Sequence, residues 1–454
     1  MYQRIVESLL YPVLVKKQGS KELAVLAELQ RSEKMSADEL HSIRLERLKG
    51  ILSHAHAHVP FYQKRFAASG FDVLALKDFS DLEKIPVLTK TDIQENREEL
   101  ISTAYKRQDL IANRTGGSTG SPLQFYHDKL RWDVRQAATI RHNLWAGQRV
   151  GSKVAVLWGH QSDLTAFKSI KSKLRNIFID RLLICDSSSF SEASLQQFAL
   201  DYQRFQPDSI LAYANSLALV VDFMKANDIE LPPPSSIITS AEVLTPENRA
   251  KIEAYFGQKV FDRYGARETS VIASECTAHD GMHIGAEYLH LEFVQDNRPV
   301  KPGENGEILV TILGNHAFPF IRYKIGDVGS PSAAAPCSCG VTLPKMQMVA
   351  GRTTDFLLAP DGRKVSGAAL TIYLAAQVPG VRQAQIIQRQ HGRLIFNLVT
   401  DSRFSETSRR MIEEKVRHFF GTDMKVEFEF VPAIAKEPSG KYRFSICELN
   451  VAER

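Results

Sequence analysis

Ser209–Asp228 reads SILAYANSLALVVDFMKAND. An apolar run ends at Tyr213, and the apolar positions after it recur at helical spacing. A short apolar run is the pattern of a buried strand, and a helix behind it makes half of a βαβ unit. The same pattern lies on both sides. KVAVLW (Lys153–Trp158) is another such run. SSIITS (Ser235–Ser240) leads into TPENRAKIEAYFG, with Thr245 placed as N-cap, Pro246 at the first helical position and Gly257 at the end. KVFDRYG (Lys259–Gly265) follows. Strand, helix, strand, helix, strand predicts right-handed crossovers and a mostly parallel sheet. Ligands of such sheets bind beyond the carboxyl ends of the strands. That rule singles out Tyr213-Ala214, Ser240-Ala241-Glu242 and Tyr264 to Glu268.

At 454 residues the chain exceeds one ordinary core, so two or more domains are expected. Apolar residues make up 44% and charged residues 24%, the balance of a water-soluble globular protein. The net charge of +5 arises from 57 basic and 52 acidic residues spread along the chain, which argues against nucleic acid as the partner. Five cysteines, Cys185, Cys276, Cys337, Cys339 and Cys447, form no disulfide framework and point to a reducing, cytoplasmic setting. IVESLLYPVLV near the N-terminus is too short to span a bilayer and is broken by Glu7 and Pro12. It reads as a helix packed on the body of the protein, with membrane-surface docking as the alternative.

Lys21 to Leu52 carries helical periodicity. His54 and His58 are four apart, a spacing that suits a metal, but no acidic partner sits between them and packing is the favoured role. After a Pro/Cys/Gly loop, PCSCGVTLP, the texture changes near Gly351. DFLLAPDGRKV reads as a hairpin with an Asp-Gly turn, AALTIYLAAQ and SETSRRMIEEKVRHFF as helices. QAQIIQRQHGRLIFNLVT reads as two strands around a His-Gly turn and KVEFEFV as a last strand. These elements predict a large α/β domain over residues 1–351 and a small α+β domain over 352–454.

NRTGGSTGSPL (Asn113–Leu123) has three glycines and four hydroxyl side chains and no lysine. It fits neither a Walker loop nor a dinucleotide fingerprint. It suits a loop whose backbone N–H groups and hydroxyls wrap polyphosphate oxygens. Five further segments follow it in order: SAEVL (Ser240–Leu244), RYGARE (Arg263–Glu268), FIRYKIGD (Phe320–Asp327), GRTTD (Gly351–Asp355) and EPSGKYR (Glu437–Arg443). The ordered set resembles the motif series of the adenylate-forming superfamily, which includes acyl-CoA synthetases, adenylation domains and luciferases. HAHAHVPFYQKRF, IPVLTKTDIQENREEL and CSCG before GRTTD resemble the phenylacetate–CoA ligase-like and CapK-like branch.

The resemblance implies a fold: a large N-terminal domain with mixed, largely parallel sheets and a small mobile C-terminal domain. It implies a reaction in which ATP and a carboxylic acid give an acyl-adenylate and pyrophosphate, after which the acyl group passes to coenzyme A. A sugar or amine acceptor in surface-polysaccharide biosynthesis, or a nucleotide-binding protein without turnover, are the alternatives. Thr115, Gly116, Gly117, Ser118, Thr119 and Gly120 match the loop over the β- and γ-phosphates. Ser240, Ala241 and Glu242 match the segment along adenine, and Tyr264 with Gly265 the stacking aromatic and its turn. Glu268 matches a magnesium-holding acid, Asp327 the ribose-binding carboxylate, Arg352 the arginine near ribose and phosphate, and Lys441 the catalytic lysine of the small domain. Two positions depart from the family pattern. Arg267 replaces a hydroxyl residue, and either grips phosphate or alters metal handling; Thr354 replaces the hinge acid.

Cys337-Ser-Cys339 is half of a thiolate metal site, and Cys276 with His283 completes a Cys₃His set, with His279 as a competing ligand. Four protein ligands leave no open position, so the expected zinc is structural. Reduced, unligated cysteines are the alternative. The partners expected are a small carboxylic acid and a thiol or amine acceptor; no segment spans a membrane, and a homodimer is left open.

Overall fold

The computed structural model describes the chain apart from residues 116–122, 159–168, 188–191, 334, 348–350, 353–355, 362–363, 367–377, 436–442, 444 and 450–454. It divides into two units: Met1–Ile325 with Gly329–Val349, and Gly326–Val328 with Ala350–Arg454.

The first unit begins with helical segments. Tyr2–Ile5, a π-helical turn at Val6–Leu10 and Tyr11–Lys17 run on as one helix, α1. The periodicity expected over Lys21 to Leu52 is split in two, α2 (Glu22–Ser32) and α3 (Ala37–His58). The break has a local cause. Ser36 and Glu39 form a reciprocal capping box, which satisfies the backbone donors of a new helix start. Pro60 then starts α4 (Pro60–Ser69), which Gly70 ends in the left-handed conformation. A hairpin follows, β1 (Ile111–Arg114) and β2 (Gln124–His127), antiparallel with Arg114 opposite Gln124. Asp128 caps α5 (Lys129–Trp145) by accepting from the Arg131 amide.

The central sheet contains β3 (Val154–Trp158), β4 (Leu182–Asp186), β5 (Ser209–Tyr213), β6 (Ser236–Ser240) and β7 (Val260–Ala266), paired in parallel in the order β4-β3-β5-β6-β7. The crossovers carry α6 (Ile170–Arg175, continued by a π-helical turn over Asn176–Asp180), α7 (Glu192–Phe205), α8 (Ala214–Ala226) and α9 (Pro246–Phe256). Thr245, Pro246 and Gly257 cap α9 as its sequence predicts. The middle strands are buried on both faces, with Leu157, Ile210, Ala212 and Ile237 packed among Leu217, Val221, Ile252 and Phe256.

Beyond β7 the sheet turns antiparallel, through β8 (Ser270–Glu275), β9 (Met282–Ile284) and, further along the chain, β14 (Lys345–Met346). A second sheet is built on β10 (Leu289–Gln295), β11 (Arg298–Pro299) and β12 (Gly306–Ile312), and β13 (Tyr323–Gly329) continues it. Its core joins α3 and α4 through Leu52, Tyr62 and Phe66, and takes in Leu123 and Phe125 of the β2 hairpin.

In the second unit, β15 (Gly351–Arg352) lies antiparallel to the end of β13, with Arg352 opposite Asp327. The expected hairpin is β16 (Phe356–Leu358) with β17 (Lys364–Ser366). The His-Gly turn joins β18 (Val381–Gln390) to β19 (Arg393–Thr400), and α10 (Glu406–Phe420) packs Ile412, Val416 and Phe420 against them. β20 (Lys425–Phe430) and β21 (Ser445–Cys447) flank the pair in parallel. Gln388, fully buried, exchanges two hydrogen bonds with the Leu358 backbone, at 2.7 and 2.8 Å, and so ties β16 to the sheet. The helix expected at AALTIYLAAQ lies outside the described residues.

Candidate active site

Strand order supplies the crevice. β4 lies on one side of β3 and β5 on the other, so successive crossovers depart in opposite directions there. Such a switch point opens a cleft at the carboxyl ends of the strands. Trp158 ends β3 and Tyr213 ends β5, and their rings meet at 4.3 Å between centroids. At the end of β6, Ser240 donates to the Arg263 carbonyl at 3.1 Å, and Ala241 takes a positive φ of 69°. A positive φ at a residue with a Cβ is strained and is held by its surroundings. Glu242 then accepts from the Asn215 amide at 2.9 Å, at the start of α8, where helix geometry leaves N–H groups without intrahelical partners.

At the end of β7, Tyr264 is half-buried and packs against the core. Gly265 has a specific steric cause. A Cβ there would sit 2.5 Å from the Ser270 carbonyl oxygen, at a bulge where β7 turns into β8. Glu268 follows on the connection and is buried at 7% exposure, and its Oε1 accepts from the Tyr323 hydroxyl at 3.0 Å. The backbone of this connection is held from beneath by α5. Arg135 donates to the Arg267 carbonyl at 2.8 Å and the Glu268 carbonyl at 3.3 Å, and Arg131 donates to the Thr269 carbonyl at 2.6 Å.

Burial pushes Arg135 down to about 10, helped by the Arg267 charge, and Arg131 down to about 9, helped by Arg135. Both stay protonated at neutral pH. His127 is pushed down to about 2 by burial and by the same two arginines, so its neutral ring accepts from Arg135 at 3.2 Å. These residues were not anticipated from sequence. The available signal was Arg131 and Arg135 at i and i+4, four residues or more beyond the glycine hairpin, a spacing that by itself reads as a solvated face.

The described ends of the glycine stretch form a closed stem. The Thr115 amide donates to the Leu123 carbonyl at 2.9 Å, and the Leu123 amide donates to Thr115 Oγ1 at 2.9 Å. Gly116, Gly117, Ser118, Thr119 and Gly120 lie outside the described residues, as do Thr354 and Lys441. In the second unit Asp327 is half-buried and stands opposite Arg352 across β13 and β15.

Cys276, His283, Cys337 and Cys339 converge, with their ligand atoms all within 4.8 Å of one another. Cys276 Sγ and Cys337 Sγ are 3.6 Å apart, and Cys339 Sγ is 3.3 Å from His283 Nε2. Tetrahedral thiolates at about 2.3 Å from a zinc would stand about 3.8 Å apart, so the spacing fits. His283 Nδ1 donates to the Leu343 carbonyl at 3.0 Å, which fixes the tautomer with the Nε2 lone pair turned to the cluster. His279 is instead engaged by Glu275 at 3.3 Å. Burial and the neighbouring cysteines push Cys276 up to about 12, so a thiolate there needs a cation beside it. His54 lies 4.9 Å from His58 between ring centroids and bonds Ser102 at 2.9 Å. Among the described residues the Cys/His set alone has metal-ligand geometry.

Comparison with known proteins agrees with this architecture. Residues 357–448 match the family model of the CapK C-terminal domain. The phenylacetate–coenzyme A ligase of Aromatoleum evansii is 28% identical over 342 residues, 73% of this chain and 74% of that protein. Protein CapK of Staphylococcus aureus is 25% identical over 419 residues, 90% of this chain and 89% of that protein. The fold superimposes on a 2-hydroxyisobutyryl-CoA ligase in the postadenylation state with a TM-score of 0.74 at 19% identity, covering 92% of this chain and 91% of that one.

Proposed function

We propose that this chain, a homologue of the phenylacetate–CoA ligases and of CapK with the fold of the adenylate-forming ligases, activates a carboxylic acid with ATP and passes the acyl group to coenzyme A. The observation that carries the reading is the crevice at the carboxyl ends of β5, β6 and β7. A buried acid, Glu268, stands there on a backbone held by the buried Arg131 and the half-buried Arg135.

The residues divide the work as follows. Ser240, Ala241 and Glu242 flank the base, and Tyr264 offers a planar face for it. Thr115 to Gly120 bind the phosphate oxygens that leave as pyrophosphate. Glu268 is an oxygen donor of the kind magnesium takes, and the bound ion would offset phosphate charge. Asp327 takes the role of the acceptor for the ribose hydroxyls, and Arg352 that of the arginine near ribose and phosphate. Lys441, from the small domain that we take as residues 352–454, neutralises charge as the acyl-adenylate forms; apart from Arg352, residues 1–351 supply the rest. Arg267 adds a cation where the family carries a hydroxyl. Cys276, His283, Cys337 and Cys339 hold a structural zinc, since four ligands exclude a substrate position.

An amine or sugar is kept as the second acceptor class, because the likeness is not to CoA ligases alone. The match to CapK spans 90% of this chain and includes the small domain, against 73% for the phenylacetate–CoA ligase.

Exchange of labelled pyrophosphate into ATP, screened over aryl, acyl and branched acids, tests the first step. Exchange stimulated by one acid, and lost in Lys441→Ala, is expected. ATP binding with no exchange for any acid would replace the reading with a nucleotide-binding protein. Release of AMP with coenzyme A, against hydroxylamine or amino sugars, separates the two acceptor classes.

A further inference from the structure

The N-terminal helix packs on the body of the first unit by only part of its circumference. Val6 is buried against the backbone at Gly151, and Gln3 bonds the Val150 carbonyl at 2.9 Å. Ile5, Leu9 and Val13 recur at four-residue intervals on another face and are 40%, 58% and 59% exposed. Leu174, Ile177 and Phe178, on α6 and its π-turn, are 51%, 63% and 53% exposed. The two segments join. The Tyr2 hydroxyl donates to the Phe178 carbonyl at 2.9 Å, and the Arg181 guanidinium lies over the Tyr2 ring at 5.2 Å. Other exposed large apolar side chains among the described residues, such as Leu74, Leu200 and Phe430, are scattered along the chain. A contiguous apolar surface of this kind marks an interaction site, whereas single exposed residues need no account.

Its rim is basic. Arg4, Lys16, Lys17, Lys171 and Lys173 are exposed and make no ion pair among the described residues. Among the described residues, the acids nearby are engaged or buried: Glu7 pairs with Arg149 at 2.9 Å, Asp180 with Arg175 at 2.9 Å, and Glu22 is buried. We propose that this face docks the protein on an anionic lipid surface, with Ile5, Leu9, Val13, Leu174, Ile177 and Phe178 in the interfacial layer and the lysines on the headgroups. Apolar side chains beneath a ring of Lys and Arg are the composition of an interfacial helix. A second copy of the chain fits less well, because a two-fold contact would set this basic rim against itself. Val150 and Gly151 precede β3 and Arg181 precedes β4, so the face lies at the amino ends of the strands. Docking there leaves the crevice at their carboxyl ends open to solution, whatever acid is used. The expectation that IVESLLYPVLV packs on the body therefore holds for Val6 and Val15 and not for Ile5, Leu9 and Val13.

The test is co-sedimentation of the full chain with vesicles of phosphatidylcholine alone and of phosphatidylcholine mixed equally with phosphatidylglycerol. Binding to the mixed vesicles that weakens with added salt is expected. Lys16→Gln with Lys17→Gln should weaken it by about fivefold per lysine. Leu9→Glu with Ile177→Glu should weaken it by about tenfold or more, with an unchanged unfolding midpoint since both positions are exposed. The proposal is overturned if neither vesicle binds, if binding ignores Leu9→Glu with Ile177→Glu, or if that pair instead dissociates a dimer seen by sedimentation velocity. Should that pair fail to fold, the lysine pair decides alone.

Discussion

Replacing Tyr323 by Phe removes one oxygen and leaves the ring in place beside Phe320, 5.2 Å away between centroids. The lost bond is the hydroxyl's donation to Glu268 Oε1 at 3.0 Å. Both groups are buried, so water replaces the lost donor poorly. A hydrogen bond to a charged group contributes about 1.5–3 kcal/mol. If the bond serves to hold Glu268 at its working position, a loss of about 2 kcal/mol appears as an exchange rate down about 30-fold at low magnesium. Excess magnesium should recover most of it, because the carboxylate remains and only its orientation is loosened. Pyrophosphate exchange measured across a magnesium titration reads this directly, with the urea midpoint as the control for stability. An unchanged magnesium dependence beside a lowered midpoint would refute the reasoning and leave Tyr323 as a packing residue of β13.

Gly265→Ala places a methyl 2.5 Å from the Ser270 carbonyl, which cannot rotate away; a stability loss of about 1–3 kcal/mol by urea unfolding and reduced exchange are expected. One zinc per chain is expected by mass spectrometry, lost in Cys276→Ser and in Cys337→Ser and retained in Cys185→Ser, whose thiol lies outside the cluster. Asp262 is raised to about 7 by burial and by Glu275. A carboxyl raised on folding holds its proton more tightly in the native state, so its contribution to stability falls as pH rises from about 4 through about 7, by at most about 4 kcal/mol. Asp262→Asn keeps an acceptor for Thr239 and should flatten that fall, read as urea midpoints at mildly acid and mildly alkaline pH.

The parallel sheet, α9 with its Thr245 and Gly257 ends, and the β18–β19 hairpin were all legible in the sequence. The strand and helix periods and the capping residues act within a few positions, so local chemistry specifies them. The split between α2 and α3 was equally local, since Ser36 and Glu39 stand three apart, but a continuous apolar periodicity masked it. The Cys/His set could be read only as two separate halves. Cys276 and Cys337 are 61 positions apart, and the pairing of β14 with β9 brings Lys345 opposite His283. The support of Glu268 had no local trace. Arg131 and Arg135 reach its connection from more than 130 positions away, and Tyr323 from 55. A spacing of four on α5 cannot say whether a guanidinium faces water or a carbonyl. Which neighbour takes the charge out of water is decided when β7, β8 and α5 pack, because a buried cation persists only where acceptors from distant segments converge on it.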